Sequence, residues 1–96
     1  MALTFERLLP MTGWVEKLDA AARSSGSLVC IGLDPDPRRM AVSDVAEFNR
    51  AIIDATSDLV CAYKPQLAFY EALGLDGLRA LEKTISHIKT LLRTLF

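Results

Sequence analysis

Histidine, cysteine and glycine are all scarce in this chain, and each shortage removes a kind of chemistry. His87 is the only histidine among 96 residues, and the two cysteines, Cys30 and Cys61, lie far outside the C-x-x-C spacing of a zinc or redox motif. The five glycines never form a G-x-G-x-x-G or Walker-type string, so a glycine-rich phosphate loop is unsupported. No long hydrophobic run exists either. The apolar stretches at Leu28 to Leu33 and Leu59 to Tyr63 are strand-sized, well short of the roughly 20 residues of a membrane helix. The opening MALTFERLLP reaches Glu6 too early for a secretory leader. Neither charge dominates: 12 acidic and 11 basic residues leave a net charge of −1, without the basic stripe of a nucleic-acid binder. A soluble, cytoplasmic protein with no nucleic-acid or membrane partner is the expectation.

What the chain does have is apolar mass. At 51% hydrophobic residues it can form one small core, with no room for a second domain. Small domains bury a modest share of their surface, so every missing packing partner matters. Both cysteines sit inside apolar runs and are expected to be buried, reduced thiols.

The pattern alternates between helix and strand. Trp14, Leu18 and Ala21 or Ala22 recur at helical spacing until Ser24-Ser25-Gly26-Ser27 stops them. Leu28 to Leu33 is apolar on both alternating faces, which predicts a strand covered on both sides, ended by Asp34-Pro35-Asp36-Pro37. A helix is predicted from about Asp44 to Ser57, with Asp44 and Glu47 as its capping pair and Val45, Phe48, Ile52 and Ala55 as its core face. Leu59 to Tyr63 reads as a second covered strand, closed by Lys64 and Pro65. Gln66 to Leu73 fits a short helix or a structured loop. Asp76, framed by Gly74 and Gly77, then caps a last helix whose apolar stripe is Leu78, Leu81, Ile85, Ile88 and Leu91 or Leu92. Each unit is thus an apolar strand, a charged residue near proline, and an amphipathic helix. That is the content of a βαβ unit, which favours adjacent parallel strands. An open doubly wound sheet and a closed β/α barrel both remain, and both bind ligands at the C-terminal ends of their strands.

Asp34 and Lys64 stand at those ends. Asp34 offers an acceptor for sugar hydroxyls or a cation, or else it or Asp36 merely starts an Asp-Pro turn. The Lys64 ammonium can reach a hydroxyl, carboxylate or phosphate, or else snorkels to solvent. Adjacent strands run about 4.8 Å apart, so the two charges could meet or grip one ligand. His87, remote from both strand exits, reads as a surface residue, and Glu71 and Asp76 read as helix-terminal or capping charges.

The strings SLVCIGLDPDP from Ser27, FNRAIIDATSDLVCAYKPQLAFYEALG from Phe48 and GLRALEKTISHIK from Gly77 resemble the N-terminal third of bacterial orotidine 5′-phosphate decarboxylases of the GLDPD/YKP type. The resemblance covers about residues 27–89 of a single partial barrel domain, 1–96. It implies the N-terminal portion of an α/β (β/α)8 TIM barrel, about two βα units preceded by a helix. It also implies conversion of orotidine 5′-monophosphate to uridine 5′-monophosphate and carbon dioxide in pyrimidine biosynthesis, without metal or organic cofactor, by a homodimer. On this resemblance Asp34 and Lys64 contact the ribose hydroxyls and join the charged network beneath the substrate; Gln66 lies nearby without an assigned role. The family's D-x-K-x-x-D motif, whose lysine protonates the pyrimidine carbon, is absent from these 96 residues, as are its late phosphate loops. No catalytic residue is therefore expected here, and the chain is expected to be a fragment, inactive alone. The alternative is a non-enzymatic half-barrel that self-associates through open strand edges; half of a doubly wound nucleotide-binding sheet ranks third, for want of the glycine-rich turn.

Overall fold

Proline at a first helical turn has no N–H to leave unpaired, and Pro10 begins the first helix of the computed structural model, α1, Pro10–Ser25. The structure describes residues 10–91 and 94–95. Expectations for residues 1–9 and for Leu92, Arg93 and Phe96 lie outside them. Helix α1 stops where the sequence suggested: Gly26 takes φ 67°, a left-handed conformation open to glycine, and the Ser25 hydroxyl donates to Ala21 O at 2.8 Å.

Strand β1 spans Cys30–Leu33 and is followed, after the proline-rich loop, by helix α2, Val45–Thr56. Asp44 is its N-cap, the carboxylate accepting from the Glu47 backbone N–H at 3.0 Å. Strand β2 is Ala62–Pro65, then come the short helix α3, Leu67–Glu71, the long helix α4, Gly74–Thr90, and a two-residue strand β3, Thr94–Leu95. The sheet is parallel throughout in the order β1-β2-β3, with Cys30 opposite Ala62, Gly32 opposite Lys64, and Ala62 opposite Thr94. The inner edge of β2 is therefore partly paired by β3, where two strands alone were expected.

Alternation along β1 and β2 turns Ile31, Leu33 and Tyr63 toward the helices. Leu33, Ile53, Val60, Tyr63 and Ile88 form the buried cluster, with Ile31 and Ile52 packed against it. Each such side chain contributes about 1.5–3 kcal/mol relative to exposure. The opposite sheet face carries Cys30, Gly32 and Lys64, all exposed, and Ala62, which is buried.

Several expectations need correction. The two strands are shorter than their apolar runs, and only the second run is covered on both sides: Val60, Cys61, Ala62 and Tyr63 are all buried, whereas Leu28 is 89% exposed, Val29 54% and Leu59, at the start of its run, 61%. Cys30 is exposed and only Cys61 buried. Leu28, Val29 and Cys30 share a cause, since β1 lies at the edge of the sheet with β2 as its one partner strand among the described residues.

The core faces of both long helices are also rotated from the apolar stripes. Helix α2 buries Asn49 and Ile53 while Phe48 and Ile52 are half-buried and Ala55 exposed. Helix α4 buries Gly77, Ala80, Thr84 and Ile88, leaving Leu78 43% exposed and Leu91 37%. Polar and small residues win these inward positions because they bond or nest with one another. Asn49 Nδ2 donates to Thr84 Oγ1 at 3.1 Å and to Tyr70 Oη at 2.9 Å, while Thr84 Oγ1 donates to Ala80 O at 2.8 Å. A Cβ at Gly77 would overlap the Tyr70 carbonyl and stand 2.7 Å from Leu73 Cβ, so α4 meets α3 backbone to backbone there. Asp76 is not the cap of α4: the helix begins at Gly74, φ 71°, and Asp76 sits in its first turn 3.9 Å from Arg79.

Candidate functional site

Residues at positions 32, 34 and 64 converge for a reason set by strand geometry. Side chains two apart on a strand share a face, and register places Gly32 directly opposite Lys64. Asp34, just beyond β1, therefore projects on the side of the sheet that carries Lys64. Together with Gly32, Gln66 and Phe69 they line a depression of about 300 Å³ at the C-terminal end of β1 and β2. That is the lower end of ligand-pocket size, suited to one ring of a ligand. Larger hollows of about 640 and 570 Å³ lie elsewhere, one along the seam of α2 and α4 and one where their N-terminal ends approach the β1–α2 loop. Volume alone does not make those the site; the strand ends hold the convergent charges.

The two charges do not neutralise each other. Among the described residues no ion pair joins Asp34 to Lys64, in contrast to the direct meeting considered from strand spacing. Both are exposed, one carboxylate and one ammonium facing a common space, an arrangement that can bind the acceptor and donor sides of a vicinal diol. Lys64 also acts on its neighbour: burial and the nearby Cys61 push the Cys30 thiol up, while the Lys64 cation pulls it down.

The question of which aspartate makes the Asp-Pro turn is answered by hydrogen bonds. Asp36 does: its carbonyl accepts from Arg39 N at 2.9 Å, and its carboxylate accepts from Arg38 N, Nε and Nη2, each at 3.1 Å. The Arg38 side-chain bonds, then its backbone bond, hold the Asp36 carboxyl below the usual carboxylate range. With the turn secured by Asp36, Asp34 is released from local duty.

Behind the depression stands a buried scaffold that sequence reading missed. Tyr70, fully buried, donates its phenol to Leu33 O at 2.8 Å, the carbonyl immediately before Asp34, and accepts from Asn49. Burial pushes the Tyr70 phenol up to about 12, with the Asn49 hydrogen bond opposing and the Asp34 charge adding. Through Asn49 and Thr84 this phenol ties the exit of β1 to α2, α3 and α4. Phe69 and Gly32 were missed too. A glycine inside an apolar strand is a recognised sign of close approach and could have exposed the latter.

The remaining candidates lie apart. His87 is no plain surface residue, its side chain being 16% exposed and its Nε2 2.6 Å from Asp54 Oδ1 across the α2–α4 seam, but it is not at the strand ends. Glu71 closes α3. Among the described residues no group of three His, Cys, Asp or Glu side chains is placed to hold a metal, and no helix is long and apolar enough to cross a membrane.

Comparison with known proteins gives one answer. No family model matches the chain. Orotidine 5′-phosphate decarboxylase of Herpetosiphon aurantiacus is 53% identical over 89 residues, covering 82% of this chain and 33% of that enzyme. The enzyme of the same name from Dehalococcoides mccartyi is 56% identical over 72 residues, covering 74% of the chain and 27% of its own length. Among solved structures, a Toxoplasma gondii protein assigned as an orotidine-monophosphate decarboxylase superposes with a TM-score of 0.66 at 38% identity, over 76% of this chain and 27% of its own. The chain spans about a third or less of the length of these relatives.

Proposed function

Since this chain belongs to the orotidine 5′-phosphate decarboxylase family, we propose that it forms the ribose-side portion of a cytoplasmic β/α-barrel site that converts orotidine 5′-monophosphate to uridine 5′-monophosphate and carbon dioxide. Asp34 and Lys64 are the substrate contacts in this reading. The observation that carries it is their placement, unpaired, on one depression at the strand ends of a chain half identical to named decarboxylases.

The chemistry divides accordingly. Loss of carbon dioxide leaves an electron pair on the pyrimidine carbon, which must be met by a proton from a positioned acid. That acid is the lysine of the D-x-K-x-x-D motif, which these 96 residues do not contain. Asp34 and Lys64 instead hold the sugar. The expected complete assembly is a homodimeric barrel working without cofactor. Alone, the chain is inactive: a few hydroxyl contacts of about 0.5–1.5 kcal/mol each do not offset an association cost of at least about 4 kcal/mol.

The test has two arms. The purified 96-residue chain, incubated with orotidine 5′-monophosphate, should release no uridine 5′-monophosphate. Exchanged for the aligned stretch of the Herpetosiphon enzyme, it should support turnover that Lys64→Ala removes. Turnover by the chain alone, or a graft indifferent to Lys64, defeats the reading.

One observation favours a second reading, a self-associating half-barrel: among the described residues the outer edge of β1 has no partner strand, beside the exposed Leu28 and Val29. Sedimentation of the chain as a folded monomer at micromolar concentration would eliminate it.

A further inference from the structure

The empty position between the two charges has a role of its own. Gly32 lies in β1 opposite Lys64 and two residues before Asp34, on the exposed face. A Cβ built there meets the Asp34 carboxylate first, 3.3 Å from Oδ2 and 3.8 Å from Cγ, and its three nearest atoms all belong to that one side chain. Its backbone is not in the left-handed region, where glycine would be needed for conformation. Neither core packing nor backbone geometry, then, asks for glycine here. Glycine within a strand costs stability, through chain entropy and lost side-chain packing. What its bareness does provide is room: among the residues lining the depression with Asp34 and Lys64, this one presents peptide backbone alone.

We infer that Gly32 is a specificity-determining residue, its missing side chain leaving the space in which a ribose ring settles against Asp34 and Lys64 with both hydroxyls engaged. This rests on the reading of Asp34 and Lys64 as ribose contacts, and extends it to a residue that makes no polar contact. An added methyl group displaces the Asp34 carboxylate by a few tenths of an ångström and takes up that room. The substrate pays with its charge-assisted hydrogen bond to that carboxylate.

The test uses the complete decarboxylase carrying this segment in place of the aligned Herpetosiphon stretch, with Gly32→Ala and the larger Gly32→Ser. Gly32→Ala should raise KM about tenfold, the worth of one charge-assisted hydrogen bond, with kcat little changed, and Gly32→Ser should raise it further. The preference for uridine 5′-monophosphate over its 2′-deoxy or 3′-deoxy analogue as inhibitor should shrink by a similar factor. Stability separates this from a structural role. Replacing glycine by alanine at an unstrained position restricts the unfolded chain, so the unfolding midpoint should hold or rise while binding weakens. Unchanged KM and unchanged hydroxyl discrimination in Gly32→Ala, or a KM rise accompanied by a matching loss of stability, overturns the inference. Lys64→Ala keeps the two claims apart. If it alters inhibitor affinity and hydroxyl discrimination while Gly32→Ala does not, only the inference fails; if Lys64→Ala and Asp34→Asn both leave inhibitor binding unchanged, the ribose reading fails and takes the inference with it.

Discussion

Replacing Tyr70 by phenylalanine removes one oxygen from a fully buried site and should destabilise the fold far more than its size suggests. The phenol donates to Leu33 O at 2.8 Å and accepts from Asn49 Nδ2 at 2.9 Å. Phenylalanine keeps the ring and its packing but returns neither bond, and each buried group left without its partner costs about 1–3 kcal/mol. Asn49 keeps Thr84 as a partner, so the loss is about 1–3 kcal/mol at Leu33 O plus about 0.5–1.5 kcal/mol for the Asn49 bond, roughly 1.5–4.5 kcal/mol in all; at about 4–8 °C per kcal/mol in a domain of this size, the melting temperature should fall by roughly 6–36 °C. A double-mutant cycle with Asn49→Leu should return a coupling energy of about 1 kcal/mol or more, because the two changes share a bond.

The same residue has a pH signature. Its pKa in the folded chain is raised from 10.0 to about 12, chiefly by burial. Between those values the unfolded chain has lost the proton that the folded chain retains, so stability falls as pH rises. The contribution is fully present below about pH 10 and lost through about pH 12, on the order of 2–3 kcal/mol in all. Urea denaturation of wild type and Tyr70→Phe across pH 8 to 12 tests both claims. A variant within about 0.5 kcal/mol of wild type at pH 8, or one with the same alkaline slope, would refute the network as an energetic unit.

Other perturbations read other parts of the structure. Gly77→Ala, ordinarily favourable in a helix by about 1 kcal/mol, should instead lower the thermal midpoint by several degrees, because its Cβ overlaps the Tyr70 carbonyl; a stabilised variant would refute the close approach of α3 and α4. Asp44→Ala should cost about 1 kcal/mol in urea melts through loss of the α2 N-cap, and no change would mean that the cap bond is not formed in solution. Asp36 should titrate below the ordinary carboxylate range when followed by carbon-detected NMR, and Arg38→Ala should return it upward; an Asp36 titration indifferent to Arg38 would contradict the clamp.

Local chemistry was legible wherever a few neighbouring residues decide the outcome. Asp44 and Glu47 announced the start of α2, and Ser24 to Ser27 the end of α1, because caps and turns are settled within a handful of residues. Helix facing was not legible. Hydropathy assigns the inward face of α2 to Phe48 and Ile52 and gives no credit to Asn49, whose partners Tyr70 and Thr84 lie 21 and 35 residues away. A buried polar residue is stable only when those distant partners exist, and periodicity counts residues without knowing what they will meet. The strands failed differently. Leu28 and Val29 were read as covered because an apolar run implies a layer on each face; that holds for Val60 to Tyr63 in the middle of the sheet and not for the run at its edge.

The site divides along the same line. Asp34 and Lys64 were visible as lone charges leaving apolar strands, and the resemblance assigned them a substrate. What the sequence left ambiguous, whether Asp34 or Asp36 serves the turn, is a question of direction rather than identity, and only the bonds of Arg38 and Arg39 to Asp36 answer it. Nor was it visible that the exit of β1 is held from behind by the Tyr70 phenol. This anchor fixes the carbonyl next to Asp34 while no hydrogen bond among the described residues holds its carboxylate, so the backbone is tied down where the side chain is left available. A binding carboxylate fixed by its own hydrogen bonds would have to give them up to a ligand. On the proposed ribose reading, holding the preceding peptide instead positions Asp34 at no such cost, so the buried network would serve that function as well as the fold.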